Sequence, residues 1–278
     1  MRTLRLLNAL PLLAAIALIP RPAAAQEDSD DAGDANWVQR CERLNQNNAD
    51  DREQFCEERV VRLAATRSLQ VDGRENGGVA VRAWNGPGVE VRERIHAWAP
   101  TREEARGLAQ QVRVRTDGGR IQADGPEGGR RRGYSVSYLV LVPPRTDLTL
   151  ETNNGPLAVS GVQGRMVLTA TNGPVALRDV GGDVRARVQN GPLTVSLAGQ
   201  RWNGAGLDAE TTNGPITLSV PSGYAATLTT GTVNGPMNID IPVTVQGRFP
   251  RQFTTQLGGG GAPVRVVTTN GPVQVSRR

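Results

Sequence analysis

Asn-Gly-Pro occurs seven times in this chain, at Asn85, Asn154, Asn172, Asn190, Asn213, Asn234 and Asn270. Aligned on the asparagine, the flanking residues alternate. Six positions before it stand Val79, Leu148, Met166, Val184, Leu207, Leu228 and Val264. Three and five positions after it, outside the Asn85 copy, stand pairs such as Leu157 and Val159, Val175 and Leu177, and Ile216 and Leu218. Apolar residues at period two on both sides of a fixed turn mean strand, corner, strand. Asn-Gly by itself favours a two-residue hairpin. Such a hairpin closes through the N–H of the residue that follows, and proline has none. In a solenoid, a proline at the first residue of a strand is tolerated. Asn and Gly there are expected to bend the chain through positive φ, and Gly before Pro avoids the clash that restricts other residues. Spacings of 18, 18, 23 and 21 residues from Asn154 to Asn234 suit successive rungs. The 36 residues from Asn234 to Asn270 have room for an atypical rung or a long loop. The Asn85 copy slips by one residue after the corner and reads as an outlying or bulged unit.

The pattern predicts an all-β fold: a parallel β-solenoid over 146–278, preceded by a mixed β region over 59–145 with one short helix as a cap. The structural corners are Asn85-Gly86, Asn154-Gly155, Asn172-Gly173, Asn190-Gly191, Asn213-Gly214, Asn234-Gly235 and Asn270-Gly271. Stacked about 4.8 Å apart, their asparagine amides are expected to bond one another in a ladder. An exposed solenoid end needs covering. The stretch PTREEARGLAQQVRV supplies Thr101 as an N-cap, acidic residues in the first turn, and Ala105, Leu108, Ala109 and Val112 at helical spacing. It predicts a helix over 102–111. Flanking strands are expected over 78–84, 89–98, 112–115 and 134–142.

The N-terminus reads as an export signal over 1–25: Arg2 and Arg5, an apolar run from Leu6 to Ile19, then Ala23-Ala24-Ala25. That run is shorter than the roughly 20 residues of a membrane span, so no transmembrane anchor is expected in the mature chain. Residues 26–36 are acidic, small and polar, the composition of a disordered segment. Over 37–58, Cys41 and Cys56 are expected to form a disulfide in an oxidising compartment, periplasmic or extracellular.

Composition removes several chemistries. Every basic residue is arginine, so lysine Schiff-base and lysine general-base catalysis are excluded. His96 is the single histidine. The solenoid acids Glu151, Asp179, Asp183, Asp208, Glu210 and Asp240 are scattered; Asp208 and Glu210, on one strand face, are the nearest to a catalytic pair. The run Gly258 to Gly261 is followed by neither a helix pattern nor a lysine, and reads as a loop. No catalytic residue, metal site or cofactor is expected. Arg113, Arg115, Arg120, Arg130, Arg131 and Arg132 form a candidate anion-binding patch whose binding would weaken with salt. Without interleaved aromatics, and in an exported chain, it does not point to nucleic acid.

The T-x-N-G-x-[VI] repeats, the stretch GLDAETTNGPITLSVPSGY and the ending LGGGGAPVRVVTTNGPVQVSR resemble the bacterial putative-adhesin family of unknown function. The resemblance runs from about residue 60 to 278 and is strongest after 147. It implies a β-solenoid and a non-catalytic, exported cell-envelope protein that binds an envelope protein, a glycan or a surface polymer. It also leaves room for a scaffold or sensing module in envelope-stress regulation, and less readily for a polysaccharide-active enzyme.

Overall fold

Each strand–corner–strand unit becomes one rung of a two-sided stack in the computed structural model of this chain. The structure describes residues 36–45, 52–242 and 251–278. The expected export signal and the acidic segment as far as Ala35 lie outside the described residues. Residues Trp37–Arg278 form one unit. It opens with helix α1 (Trp37–Asn45), β1 (Glu53–Ala64), β2 (Ser68–Asp72), β3 (Val79–Ala83), β4 (Gly88–Ala99), helix α2 (Arg102–Gln111), β5 (Arg113–Arg115), β6 (Arg120–Asp124) and β7 (Gly133–Val142). The repeats follow: β8 (Asp147–Thr152), β9 (Leu157–Ser160), β10 (Gln163–Asn172), β11 (Val175–Arg178), β12 (Gly181–Asn190), β13 (Leu193–Ser196), β14 (Gly206–Asn213) and β15 (Ile216–Val220). The chain closes with β16 (Ala226–Asn234), β17 (Met237–Asp240), β18 (Gln252–Leu257), β19 (Pro263–Asn270) and β20 (Val273–Arg277).

Two ten-stranded sheets result, one in the order β1-β4-β7-β3-β9-β11-β13-β15-β20-β17, the other β18-β16-β19-β14-β12-β10-β8-β2-β6-β5. Within the stack the pairing is parallel and in phase: Met166 faces Leu148 and Val184, and Asn172 faces Asn190. The period-two pattern therefore does in three dimensions what it promised. Leu148, Leu150, Met166 and Leu168 from one sheet and Leu157, Val159, Val175 and Leu177 from the other are buried in a shared core. Parallel pairing between neighbouring units excludes a row of independent hairpins.

Rung order differs from chain order at both ends. The rung β2/β3 sits between β8/β9 and β6/β7, and β19/β20 sits between β14/β15 and β16/β17. Part of the region read as a cap is thus solenoid. The true covering elements are antiparallel. β4 pairs with β7 and β1 with β4 on one sheet, while β5 pairs with β6 and β18 with β16 on the other. In the described part of the long interval between Asn234 and Asn270, β18 is the strand added between β17 and β19.

The corner at Asn85-Gly86 is a correction. β3 lies after a corner, not before one: Val79 and Val81 pair with Leu157 and Val159. Asn85-Gly86-Pro87 instead carries the chain from β3 to β4, and β7 lies between those two strands. The turn is held locally, with the Trp84 indole Nε1 donating to the Gly88 carbonyl at 2.9 Å. The corner of the β2/β3 rung is Asn76-Gly77-Gly78, where glycine replaces proline.

Helix α2 closes the core over β4 and β1. Its N-cap is Thr101, whose hydroxyl accepts from the Glu104 N–H at 3.2 Å, and it buries Ala105, Leu108 and Ala109. Its C-terminal end is gripped from β1. Arg59 donates to the carbonyls of Ala109 and Val112, both at 3.0 Å, and also holds Glu57 through two 2.9 Å bonds.

Helix α1 is joined to β1 by the Cys41–Cys56 disulfide. The Arg94 guanidinium lies 5.8 Å from the Trp37 ring centroid, and Arg102 pairs with Glu42 at 2.8 Å. Closing a loop of this length stabilises a chain by at most about 3 kcal/mol. Reduction is therefore expected to lower the melting temperature and loosen α1 while leaving the solenoid folded. Thiol titration before and after reduction, with circular dichroism on both samples, checks this; two titratable thiols in protein taken from an oxidising compartment would contradict it.

Candidate functional site

The corners form a continuous ridge. Asn154 donates its Nδ2 to Asn76 Oδ1 at 3.3 Å, Asn172 to Asn154 and Asn190 to Asn172 at 2.8 Å, and Asn213 to Asn190 at 2.9 Å. Asn270 donates to Asn213 and Asn234 to Asn270, both at 2.8 Å. All six bonds point the same way along the stack, towards Asn76. Asn85 has no place in this ladder, and Asn76 takes the end position.

Positive φ is not what the corner asparagines use, and of the corner glycines only Gly191 and Gly271 have it, both at 157°. Among the described residues the only non-glycines with positive φ are Arg74 and Asp179. The glycines are required by close approach. A Cβ on Gly173 would fall on the Gly155 carbonyl oxygen, and one on Gly191 would fall on that of Gly173. The threonine two places before several corner asparagines has a matching role. Thr152, Thr211 and Thr268 donate to the carbonyls of Gly77, Gly191 and Gly214 at 2.7, 2.9 and 2.9 Å. These threonines are buried, so the bonds satisfy both partners where water is excluded. The T-x-N-G motif is thus a packing device: a hydroxyl, a spacer, an amide for the ladder and a residue without a side chain.

Asp208 and Glu210 lie on the outer face of β14 and are held by arginines. Arg265 bonds Asp208 at 2.7 Å and Glu210 at 2.9 Å, and Arg187 also pairs with Asp208. Partial burial raises the Asp208 carboxyl, but the bonds from Arg187 and Arg265 outweigh this and hold it below its ordinary 3.8. A group pinned as a carboxylate is a poor proton donor. Because its folded pKa is depressed, its contribution to stability is present above the ordinary value and is lost as pH falls through the folded one. Asp208→Asn is expected to flatten the fall in melting temperature below about pH 4. At neutral pH it should change stability by no more than about 1 kcal/mol, the range of exposed pairs. A collapse at neutral pH would contradict this.

His96 sits on the outer face of β4, with Nε2 against Gln54 Oε1. Burial, then the charge of Arg52, push its pKa below the ordinary 6.5. It lies beside Cys41 and Cys56, the three ligand-type atoms being within 4.8 Å of one another, but both sulfurs are joined in the disulfide. Gly258 to Gly261 form the turn between β18 and β19, with the Gly260 N–H bonding the Leu257 carbonyl at 2.9 Å.

The arginines of the candidate patch are dispersed. Arg113 donates to the Gln110 and Val112 carbonyls at 2.5 and 3.1 Å. Arg115 pairs with Asp124, and Arg120 stands 3.9 Å from Asp72. Arg130, Arg131 and Arg132 lie on the exposed β6–β7 loop.

Arg132 also lines a cleft of about 590 Å³ at the Asn76 end of the ridge. One wall is the Gly73–Gly77 corner, and the other is the enlarged β6–β7 loop from Asp124 to Gly133. Two aromatic side chains, Trp98 and Tyr134, stand in it. Each packs across a glycine: a Cβ on Gly133, at the start of β7, would meet the Trp98 indole at 2.7 Å, and one on Gly125 the Tyr134 ring at 2.8 Å. Arg74 is locked in place, its N–H bonded to Asp72 Oδ1 at 2.8 Å and its guanidinium to Asp124 Oδ1 at 3.0 Å. Burial raises the Tyr134 phenol above its ordinary 10; the charge of Arg74 lowers it and that of Asp124 raises it. The sequence pattern gave no sign of this cleft, because its residues come from three separate parts of the chain.

Among solved structures the chain is similar to a putative cell adhesion protein from Clostridium sporogenes ATCC 15579, with 9% identity, a TM-score of 0.40, and 80% of this chain and 100% of that chain covered. It is also similar to a putative adhesin from Bacteroides fragilis NCTC 9343, with 7% identity, a TM-score of 0.37, and 80% and 97% covered. No curated protein matches the sequence. The Toastrack DUF4097 family matches over residues 108–276, more than half of the chain and most of the rungs described above. The chain belongs to the Toastrack DUF4097 family.

Proposed function

We propose that this protein is a non-catalytic, exported cell-envelope module that binds through the surface of its solenoid. One observation carries the reading. The acids nearest to a hydrolytic pair are committed to arginines, while the ridge and the in-phase rungs hold a long surface fixed from one unit to the next. That arrangement suits recognition of an extended partner, such as an envelope protein, a glycan or a surface polymer. Residues 1–25 and the Cys41–Cys56 bridge support an oxidising, exported location.

The test is co-sedimentation of the mature chain with purified insoluble envelope polysaccharide, run beside an assay for newly released reducing ends. Retention on the polymer without release of sugar is the expected result. Release of reducing ends that depends on Asp208 and Glu210 would replace the binding role with a catalytic one.

A further inference from the structure

We propose that the cleft at the Asn76 end of the ridge is a saccharide site that takes an uncharged sugar unit. The proposal rests on the binding role above and names its ligand class. Three features converge in one place. The first is the pair of half-buried rings, Trp98 and Tyr134. Such rings offer an apolar plate to the C–H face of a pyranose and leave its hydroxyls free to bond around the edge. The second is the rim. Arg74, Asn76 and Arg132 can donate, and Glu75, Asp124 and Glu127 can accept. A sugar hydroxyl both donates and accepts, so a rim that offers both roles matches it.

The third feature is the polarity of the asparagine ladder. Every bond in it runs towards Asn76, whose Oδ1 receives the last one. Among the described residues, the Nδ2 of Asn76 makes no hydrogen bond. A chain of amides polarises its members in sequence, so a terminal donor is stronger than a lone asparagine. Asn76 itself lines the cleft. At about 590 Å³ the space is in the usual range for small-ligand sites.

Charge selects among sugars. The rim holds two arginines, Arg74 and Arg132, against three carboxylates, Glu75, Asp124 and Glu127. Asp124 already bonds Arg74 and pairs with Arg115. Little positive field is left for a uronate or a phosphate, so an uncharged ring is favoured. Binding should accordingly be almost independent of ionic strength, unlike capture of an anionic polymer by free arginines.

The experiment is titration of the mature chain, followed by tryptophan fluorescence and calorimetry. The probes are three defined oligosaccharides: an uncharged hexose oligomer, an N-acetylhexosamine oligomer and a uronic-acid oligomer. An uncharged probe is expected to bind, with less than a twofold change in affinity between low and physiological salt. Trp98→Ala and Tyr134→Ala should each weaken it by about tenfold. Asn76→Asp keeps an acceptor for Asn154 but removes the terminal donor, and should weaken it similarly. Arg132→Ala and Glu127→Ala alter only the exposed loop, so they keep the test valid should an aromatic variant fail to fold. Both should reduce affinity severalfold. Binding of the uronic-acid oligomer alone, or binding indifferent to all five substitutions, overturns the proposal. So does the absence of any binding by a chain that still co-sediments with envelope polysaccharide, a result that leaves the broader binding role standing. Failure to co-sediment as well would remove both.

Discussion

Gly173→Val is expected to lower the melting temperature by roughly 6–12 °C, which corresponds to about 3 kcal/mol of overpacking in a chain of this size. The reason is steric. The Gly173 backbone rests on the Gly155 carbonyl, and the Gly191 backbone rests on that of Gly173, so a new Cβ meets backbone that no side-chain rotation can clear. The rungs on both sides must shift together. Pro174→Ala is the control. The Pro174 carbonyl accepts from the Leu157 N–H at 2.9 Å, and alanine keeps that carbonyl. Its cost is a looser unfolded chain, about 0.4–1 kcal/mol. Differential scanning calorimetry of the two variants checks the order. A Pro174→Ala protein more stable than the parent would mean that the missing N–H had been wanted at this corner.

Arg59→Met is the second large effect, expected to cost about 3–5 kcal/mol at neutral pH. Methionine retains the bulk of the stem but removes the grip on Glu57, Ala109 and Val112. It also removes the cation closest in register to Glu93, which is only 4% exposed. Burial raises the Glu93 carboxyl above its ordinary 4.5, Arg59 lowers it, and Glu57 raises it. Without Arg59 the net shift must be further upward. An acid whose folded pKa is raised binds more protons when folded, so its penalty appears as pH rises through the interval between the unfolded and folded values. The variant should regain part of its stability as pH is lowered towards the unfolded value. Melting curves from pH 7 down to pH 4.5 check this, and a deficit constant across that range would show that only the grip on the helix mattered. Amide exchange in α2 should quicken at the same time.

Much of this fold was legible because each unit repeats one physical solution. Alternation placed Leu148, Leu157 and their equivalents in the core. The Thr101 cap and the Ala105, Leu108, Ala109 spacing placed helix α2. What could not be read has equally local causes. The β2/β3 corner has one extra residue before Asn76, and Gly78 stands where the other corners have proline, so the Asn-Gly-Pro motif falls at Asn85 instead. β1 was missed because its core-side face includes Glu57 and Arg59, which break the apolar alternation. Rung order was illegible because all rungs share one pattern, and any of them matches any neighbour. The cleft was invisible for the opposite reason: Asn76, Trp98 and Arg132 share no pattern at all.

The out-of-sequence placement of β19/β20 gives the protein an unusual response to tension. A simple coil pulled through its last unit peels that unit away, breaking one row of hydrogen bonds at a time from a free edge. Here a load applied through residues 263–277 acts on a rung with neighbours on both sides, β14 and β16 in one sheet, β15 and β17 in the other. Extracting it means breaking two rows at once in each sheet. Force is therefore shared between the rungs on either side, β14/β15 inward and β16/β17 outward, instead of falling on a single row at a free edge.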